Sequence, residues 1–370
     1  MPSPDPAGDP LHDLTAVVPA GGAGTRLWPL SRASSPKFLH DLTGSGRSLL
    51  QDTVDRVRPL VGDRVVVVTG VRHADAVREQ LPELLAQNLL VEPDPRDSMP
   101  AIGLAAAVLE LRDPEAVLGS FAADHVVGEP DVFRERVRQA VHAARTGLLV
   151  TLGITPTRAA TGFGYVRVGG PLTVDGAPDV RHVEAFVEKP DEALAADYVA
   201  SGRYLWNAGM FVVRAGTLLD LLAEQQPRMV QTLRQVARDP SSTGERWASL
   251  TRISIDHAVA EPAAAAGRVA VVPAPFRWDD VGDFASLADL LPESAEHPGL
   301  RVLGPEDLVV DEGSTGIVAP RGGRTVVTLG LRDVVVVDTP DALLVTTRDR
   351  CQDVKGLVET LRRSGREELT

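Results

Sequence analysis

Short runs of apolar, mostly β-branched residues recur along this chain and constrain its fold more than any other feature. None of them alternates between apolar and polar residues, which is the pattern of strands buried on both faces of a parallel sheet. Between the runs lie segments with helical spacing, such as residues 100–112 and 131–145. Strands alternating with helices predict βαβ units in a doubly wound, mostly parallel α/β sheet. The runs are residues 14–20, 64–69, 117–123, 148–154 and 269–272.

The texture of the sequence divides the chain into three parts. Residues 1–13 are rich in proline and poor in apolar side chains, which predicts a flexible tail. Residues 14–295 hold the strand and helix pattern. Residues 296–370 are rich in valine, glycine and aspartate, which predicts a small β-rich domain with a terminal helix over residues 352–363. No period-six repeat is clear enough there to define a solenoid.

The composition excludes several classes of protein. The chain has 38 basic and 51 acidic residues, and its net charge of −13 argues against broad binding to nucleic acid or an anionic membrane. One cysteine excludes an internal disulfide and a cysteine-based zinc cluster, and suits a reducing compartment. No stretch reaches the ~18 apolar residues of a membrane span, and the N-terminus lacks a secretion signal. We therefore expect a cytoplasmic globular protein.

The strongest local motif directly follows the first apolar run. Three glycines within four residues can turn their backbone N–H groups toward an anion, and a hydroxyl, a guanidinium and a downstream lysine add donors for phosphate oxygens. The motif is not a P-loop, which needs Gly-Lys-Ser/Thr, and it has Leu27 where the dinucleotide fingerprint needs a third glycine. An ordinary glycine-rich turn remains open. The residues expected to bind the phosphates are Ala20, Gly21, Gly22, Gly24, Thr25 and Arg26, with Lys37 as a second cation.

The motif resembles the signature of the sugar-1-phosphate nucleotidylyltransferases, and its continuation over residues 28–32 resembles their mannose-1-phosphate guanylyltransferase branch. Two departures stand out: Phe38 directly follows Lys37, where the family has an intervening Gln, and residues 97–99 read Asp-Ser-Met instead of Asn-Thr-Ala. The resemblance extends more weakly over residues 308–363. Further matches follow in order at residues 92–93, 96–102, 123–125, 161–165, 188–190, 206–211, 254–256 and 278–282.

The resemblance implies a nucleotidyltransferase domain over residues 14–295 that uses GTP and α-D-mannose 1-phosphate and releases GDP-mannose and pyrophosphate. It implies Mg²⁺ bound by Asp124 and Asp280, because Mg²⁺ prefers oxygen ligands. Asp280 is preferred to its neighbour Asp279 because the family carries its Asp directly before Val-Gly. Asp124 would also contact the nucleotide. The implied catalytic residues are Arg26, Lys37, Asp124 and Asp280.

Two further sets of residues follow from the resemblance. Gly162, Glu188, Lys189 and Asn207 are expected to bind the sugar phosphate, with Glu188 and Asn207 on its hydroxyls and Lys189 on its phosphate. Arg96 and Ser98 precede a helix and are expected to contact the base or ribose. Structural roles remain open for each of them: turns for the sugar residues, and a helix cap for Ser98.

Two alternative functions remain open at this point. The chain could act on glucose 1-phosphate or another nucleotide within the same superfamily, or it could be a catalytically inactive regulatory subunit of the same fold. The sequence leaves the oligomeric state open, with a homodimer among the options. The chain ends before any segment resembling an appended phosphomannose isomerase domain, so we expect a single activity.

Overall fold

The computed structural model describes residues 10–22 and 24–370. Among these residues the strands are β1 (Leu14–Ala20), β2 (Val65–Gly70), β3 (Leu89–Glu92), β4 (Val117–Ser120), β5 (Val126–Val127), β6 (Leu149–Ile154), β7 (Gly164–Pro171), β8 (Arg181–Glu188), β9 (Tyr204–Arg214), β10 (Val269–Ala274), β11 (Trp278–Asp279), β12 (Leu300–Val302), β13 (Val309–Glu312), β14 (Gly316–Pro320), β15 (Val326–Leu329), β16 (Val334–Asp338) and β17 (Leu343–Thr347). The α-helices are α1 (Leu49–Val61), α2 (Ala74–Gln80), α3 (Ser98–Arg112), α4 (Pro130–Ala144), α5 (Glu192–Ser201), α6 (Ala215–Gln225), α7 (Pro227–Arg238), α8 (Thr243–Trp247), α9 (Glu261–Ala265), α10 (Phe284–Leu290) and α11 (Val354–Arg363). None of the described helices is both long enough and apolar enough to cross a bilayer.

The chain forms two compact units, and each unit is built from segments that are far apart in the sequence. A first unit contains residues up to 20, together with 53–122 and 127–278. A second unit contains residues 21–52, 123–126 and 279–370. The glycine-rich segment after β1 therefore belongs to the same unit as the C-terminal region, although more than 200 residues lie between them in the sequence.

The described part of the first unit is built on a nine-stranded sheet in the order β3-β2-β1-β4-β9-β6-β10-β8-β7. Strands β8 and β9 pair antiparallel with their neighbours, and the other seven strands run in one direction. The sheet confirms the predicted mostly parallel α/β fold. Its first strand is buried at every position from Leu14 to Val18, as the unbroken apolar run predicts. One face of the sheet packs on α3 and α6, and α7 packs on these two helices.

Several boundaries differ from those predicted. Strand β4 ends at Ser120, so Asp124 lies in a turn four residues beyond the strand. Helix α3 begins at Ser98 rather than at residue 100, because the Asp97 side chain accepts a hydrogen bond from the Ser98 N–H and caps the first turn. Of the predicted tail, residues 1–9 lie outside the described residues. Leu11 is buried and Asp13 pairs with Arg145, so residues 10–13 pack on the first unit rather than extending as a tail.

Within the second unit, the C-terminal strands form a parallel coil. β12, β14 and β16 pair in parallel in one sheet, which β17 extends antiparallel, while β13 and β15 pair in parallel in another. Successive strands thus alternate between two sheets. The differences between paired residue numbers give turns of 16, 17 and 18 residues. This irregular turn length explains why no regular period is visible in the sequence.

The glycine-rich segment packs against the C-terminal end of the chain within the second unit. Leu27 and Trp28 share a buried apolar cluster with residues of α10, β16 and α11. The Trp28 Nε1–H donates to the Leu369 carbonyl at 2.6 Å, and Arg32 pairs with Asp341 at 2.7 Å. The C-terminal region therefore supports the segment that carries Arg26 and Lys37.

Candidate active site

The glycine-rich loop in the second unit is shaped by Gly24. Gly24 has a φ of 56°, and a Cβ placed on it would lie 2.8 Å from Ser31 Oγ and 3.1 Å from Lys37 Cγ. Only glycine allows this backbone conformation and this close approach without strain. A short 3₁₀ turn over residues 25–27 follows and carries Arg26. Ala23, which completes the motif, lies outside the described residues.

Lys37 lies at the centre of the predicted catalytic residues. Its Nζ is 2.9 Å from Asp124 Oδ2, and it also donates to the backbone carbonyl of Asp280. The side chains of Lys37 and Asp124 are only 12% and 19% exposed. Arg26 Nη1 donates to the Gly282 carbonyl at 3.3 Å. The structure therefore brings all four predicted catalytic residues into one connected group within the second unit.

Asp124 is held in its charged form by its neighbours. Its burial acts to raise the pKa of the carboxyl group, but the Lys37 ammonium and His125 act in the opposite direction and prevail, so the pKa lies below its ordinary value. His125 Nε2 lies 3.9 Å from Asp124 Oδ1. The sequence motif over residues 123–125 includes this histidine, yet the sequence reasoning gave it no role.

Asp279 and Asp280 have different surroundings. The Asp279 carboxylate accepts a hydrogen bond from the Val281 N–H at 2.7 Å and so stabilises the local turn, in which Val281 has a φ of 50°. Within the described residues the Asp280 carboxylate forms no hydrogen bond or ion pair. A Cβ placed on Gly282 would lie 3.2 Å from both Asp280 Oδ1 and Arg26 Nη1, so these two groups flank the same point. Asp280 is thus the carboxylate left available to a ligand.

The surroundings of Asp124 and Asp280 suit a magnesium ion. Residues 10–22 and 24–370 contain no group of three His, Cys, Asp or Glu side chains that could hold a metal by themselves. Mg²⁺ keeps several waters and substrate phosphate oxygens in its shell, so one or two carboxylates are enough protein ligands. The depressed pKa of Asp124 meets that requirement, as does the Asp280 carboxylate, which has no partner among the described residues.

The predicted sugar-phosphate residues form a group within the first unit. Gly164 of β7 pairs with Glu188 of β8 on one side and with Asn207 of β9 on the other. A Cβ on Gly164 would lie 2.5 Å from Glu188 Oε2 and 3.3 Å from the Asn207 Cβ. A side chain at position 164 would therefore crowd the space between Glu188 and Asn207, and the Glu188 carboxylate would have to move aside. Gly162 lies exposed in the loop just before it.

The Asn207 side chain is fixed by three hydrogen bonds. Its Oδ1 accepts from Thr151 Oγ1 at 2.8 Å and from the Gly209 N–H at 3.2 Å, and its Nδ2 donates to Asp256 Oδ1 at 2.8 Å. Asn207 is only 6% exposed. One N–H of the amide remains for a ligand.

Asp256 belongs to this group, although the sequence reasoning assigned it no role. It begins a π-helical turn over residues 256–260, a feature frequent at functional sites. Burial raises the pKa of Asp256 to about 6, with the charge of Glu188 acting in the same direction. The match at residues 254–256 was the available signal, and the strong shift of a buried carboxyl group supports a functional reading.

Lys189 pairs with Glu188 through Nζ and Oε1, 2.6 Å apart. Partial burial acts to lower the pKa of Lys189, but the hydrogen bond and charge of Glu188 prevail and raise it. The scarcity of lysine also pointed to this residue in the sequence: of 38 basic residues only three are lysines, at positions 37, 189 and 355. Two of these three lie in the groups described above.

Arg96 and Ser98 already have protein partners in the first unit. Arg96 lies 3.2 Å from the Asp94 carboxylate and donates to the Leu250 carbonyl at 3.3 Å, while Ser98 Oγ accepts from the Ile255 N–H at 3.0 Å. Both side chains therefore support the segment 250–255. The carbonyl of Ala20, at the end of β1, accepts from Thr69 Oγ1 at 2.8 Å.

Comparison with known proteins shows the family to which the chain belongs. Residues 15–297 match the model of the Nucleotidyl transferase family, and residues 302–361 match the MannoseP isomerase/GMP-like beta-helix domain. The chain belongs to the Nucleotidyl transferase family and is an enzyme of that type. The second match agrees with the parallel coil of β12 to β17, so the small C-terminal β-rich domain is β-helix-like.

Individual relatives of the chain carry more specific names than the family does. The chain is 38% identical over 366 residues to the "Mannose-1-phosphate guanylyltransferase" of Escherichia coli strain K12, covering 96% of this chain and 75% of the relative. It is 37% identical to "Xanthan biosynthesis protein XanB" of Xanthomonas campestris, covering 97% and 76%. A crystal structure of "mannose-1-phosphate geranyltransferase" from Thermus thermophilus superposes with a TM-score of 0.83 at 33% identity, covering 95% of this chain and 99% of that one.

Proposed function

We propose that this chain transfers GMP from GTP to α-D-mannose 1-phosphate, giving GDP-mannose and pyrophosphate. The name of the Escherichia coli relative supports the substrate pair, and the name of the Thermus thermophilus relative supports mannose 1-phosphate. The observation that carries the proposal is that the Lys37 ammonium contacts both the Asp124 carboxylate and the Asp280 backbone carbonyl. This is a connected set of charges suited to a polyphosphate.

The chemistry needs positioning and charge neutralisation more than proton transfer. A phosphate oxygen of mannose 1-phosphate attacks the α-phosphorus of GTP, and the bond from that phosphorus to the β-phosphate oxygen breaks to release pyrophosphate. The nucleophile is already an anion, so no general base is required. Arg26 and Lys37 would stabilise the charge that develops on the departing pyrophosphate.

Asp124 and Asp280 are the residues that we propose to hold Mg²⁺. When bound, the ion would neutralise phosphate charge and orient the triphosphate. The chain's own contribution is to keep both carboxylates ionised and available. For Asp124 the Lys37 ammonium serves that purpose, and for Asp280 the neighbouring Asp279 takes over the capping of the turn.

The sugar phosphate is assigned to Gly162, Glu188, Lys189 and Asn207. Glu188 can accept hydrogen bonds from sugar hydroxyls, and the remaining N–H of Asn207 can donate one. Lys189, with Nζ 2.6 Å from Glu188, balances the Glu188 charge and is placed to meet the phosphate. Asp256 orients Asn207 through its 2.8 Å hydrogen bond.

The nucleotide is assigned to the glycine-rich loop and to Arg96 and Ser98. In the loop, the backbone N–H groups of Gly21, Gly22 and Gly24 and the hydroxyl of Thr25 would meet the phosphates. Arg96 has five N–H donors and uses few of them on Leu250 and Asp94. The Ser98 hydroxyl accepts one hydrogen bond and can still donate its own proton. The single free cysteine, Cys351, is buried and suits the reducing cytoplasm where we place the enzyme.

The test is pyrophosphate release by the purified protein across four nucleoside triphosphates and several sugar 1-phosphates. We expect GTP with mannose 1-phosphate to be the best pair. A clear preference for glucose 1-phosphate or for another nucleotide would replace the proposal with another activity of the same superfamily. No turnover with any pair, despite the retained Lys37 and Asp124, would favour an inactive regulatory subunit.

A further inference from the structure

A loop of the first unit, residues 155–163, joins β6 to β7 and carries an arginine in an unusual setting. Arg158 is exposed, and its guanidinium carbon lies 5.5 Å from the Phe163 ring centre and 5.4 Å from that of Trp206. Among the residues that the structure describes, its side chain forms no hydrogen bond or ion pair. Its guanidinium therefore lies over the two rings and is not neutralised by any described carboxylate.

The aromatic rings under Arg158 form a rigid support. Phe163 packs edge-on against Trp206, with ring centres 5.1 Å apart, and against Trp278 at 5.0 Å. A guanidinium on aromatic faces loses little freedom when it binds an anion, because its position is already restricted. Trp206 is 3% exposed, and its indole N–H is buried without an acceptor among the described residues.

This support is continuous with the sugar-phosphate group. Phe163 directly precedes Gly164, and its carbonyl accepts a hydrogen bond from the Lys189 N–H at 3.2 Å. Trp206 directly precedes Asn207 and pairs with Tyr165 across β9 and β7. The two aromatic residues in contact with Arg158 are thus direct sequence neighbours of Gly164 and Asn207.

The sugar-phosphate group is rich in negative charge, which Arg158 could partly balance. Glu188 and Asp256 are both acidic, and a third carboxylate, Glu261, contacts the Glu188 N–H and lies 2.9 Å from His257 Nδ1. Lys189 is already paired with Glu188. A sugar 1-phosphate brings roughly two further negative charges. A further cation would offset part of the repulsion between these carboxylates and the phosphate.

We propose that Arg158, held on Phe163 and Trp206, binds the phosphate of the sugar 1-phosphate. The proposal rests on the sugar-phosphate site of the proposed function. The Arg158 guanidinium can form a two-pronged contact with phosphate oxygens. Glu188 and Asn207 then bind the sugar hydroxyls, while Arg158 binds the phosphate.

The test measures binding directly and then turnover. Isothermal titration with mannose 1-phosphate should show that R158A binds about tenfold to a hundredfold more weakly than the wild type, which is the usual loss for a charge-assisted hydrogen bond. Binding of methyl α-mannoside, which lacks the phosphate, should be unchanged. R158K should recover part of the loss. In kinetics, R158A should raise the KM for mannose 1-phosphate and leave the KM for GTP unchanged.

The matched control is R203A, because Arg203 is exposed one residue before β9 and lacks the aromatic support. It should bind mannose 1-phosphate like the wild type. Equal affinity of R158A and wild type, or an equal loss in R158A and R203A, would overturn the inference. A protein that binds sugar 1-phosphates through Arg158 but does not turn over with GTP would refute the proposed function and keep the inference. A wild type that binds no sugar 1-phosphate would overturn both.

Discussion

Replacing Lys37 by methionine removes the charge at the centre of the proposed catalytic group and keeps most of its apolar volume. Lys37 Nζ lies 2.9 Å from Asp124 Oδ2, and both side chains are largely buried. The same ammonium donates to the Asp280 carbonyl. K37M therefore leaves Asp124 without its main counter-charge and the Asp280 carbonyl without its Lys37 donor.

Two magnitudes follow from this geometry. Removing one preorganised charged donor costs about 10²–10³-fold in rate when the donor acts on charge formed in the transition state. We therefore expect kcat to fall by about that factor, with a much smaller change in the KM for GTP. Breaking a fully buried ion pair costs about 3–5 kcal/mol. The pair has some solvent contact, so we expect the free energy of unfolding to fall by about 2–3 kcal/mol.

The stability loss should depend on pH. In the wild type the pKa of Asp124 is lowered, so its ionised form stabilises the fold above the ordinary pKa, and this contribution is lost as the pH falls through the lowered value. In K37M the raising effect of burial is opposed mainly by His125, so the pKa of Asp124 should rise. The difference in melting temperature between wild type and K37M should be largest near pH 7. It should shrink on acidification, when Asp124 becomes neutral in both.

The assay is steady-state pyrophosphate release with each substrate varied in turn, together with melting curves at several pH values. Lys355 is an exposed lysine near the start of α11, so K355M is the matched control and should leave both readouts near the wild type. An unchanged kcat in K37M would remove Lys37 from the catalytic residues and leave Arg26 with the metal as the main source of charge stabilisation. A melting temperature lowered equally at all pH values would refute the role assigned to the pairing with Asp124.

Further predictions concern the metal, the sugar and the C-terminal support. D280A should abolish most turnover, while D279A, which removes the acceptor for the Val281 N–H, should keep much more activity. EDTA should abolish turnover, and excess Mg²⁺ should restore it. The reverse order of the two variants would show that Asp279 is the ligand. E188A should raise the KM for mannose 1-phosphate more than that for GTP, and equal effects would place Glu188 elsewhere. The pKa of Asp256 is raised to about 6, so its burial costs stability as the pH rises from about 4 to 6, and D256N should gain up to about 2–3 kcal/mol relative to the wild type at pH 7. A stability difference that does not vary with pH would contradict this. W28F removes the donor to the Leu369 carbonyl and should cost about 1 kcal/mol in denaturant unfolding, whereas an unchanged midpoint would show that the C-terminal contact contributes nothing.

Features that depend on local pattern could be predicted from the amino-acid sequence alone. Continuous apolar runs gave the buried parallel strands, since a strand covered on both faces has no need of polar positions. The glycine-rich loop and the order of the matching segments indicated the family. Gly24 shows why such a signal is readable, because its positive φ and its contact with Lys37 permit only one residue type. Glu188, at the end of its strand, was likewise visible as a candidate for binding.

Which of these residues lie close together depends on the tertiary structure. Strand β9 runs against its neighbours and pairs with β4, β6 and β7, and this register brings Asn207 beside Gly164. In the folded chain Asp256 accepts a hydrogen bond from Asn207, and Asp279 rather than Asp280 caps the local turn. Lys37 contacts Asp124 and Asp280, which lie 87 and 243 residues away in the sequence. Local propensity carries no information about such pairs. Their distances depend on strand register and side-chain packing between distant segments, which are settled only when the whole core is assembled.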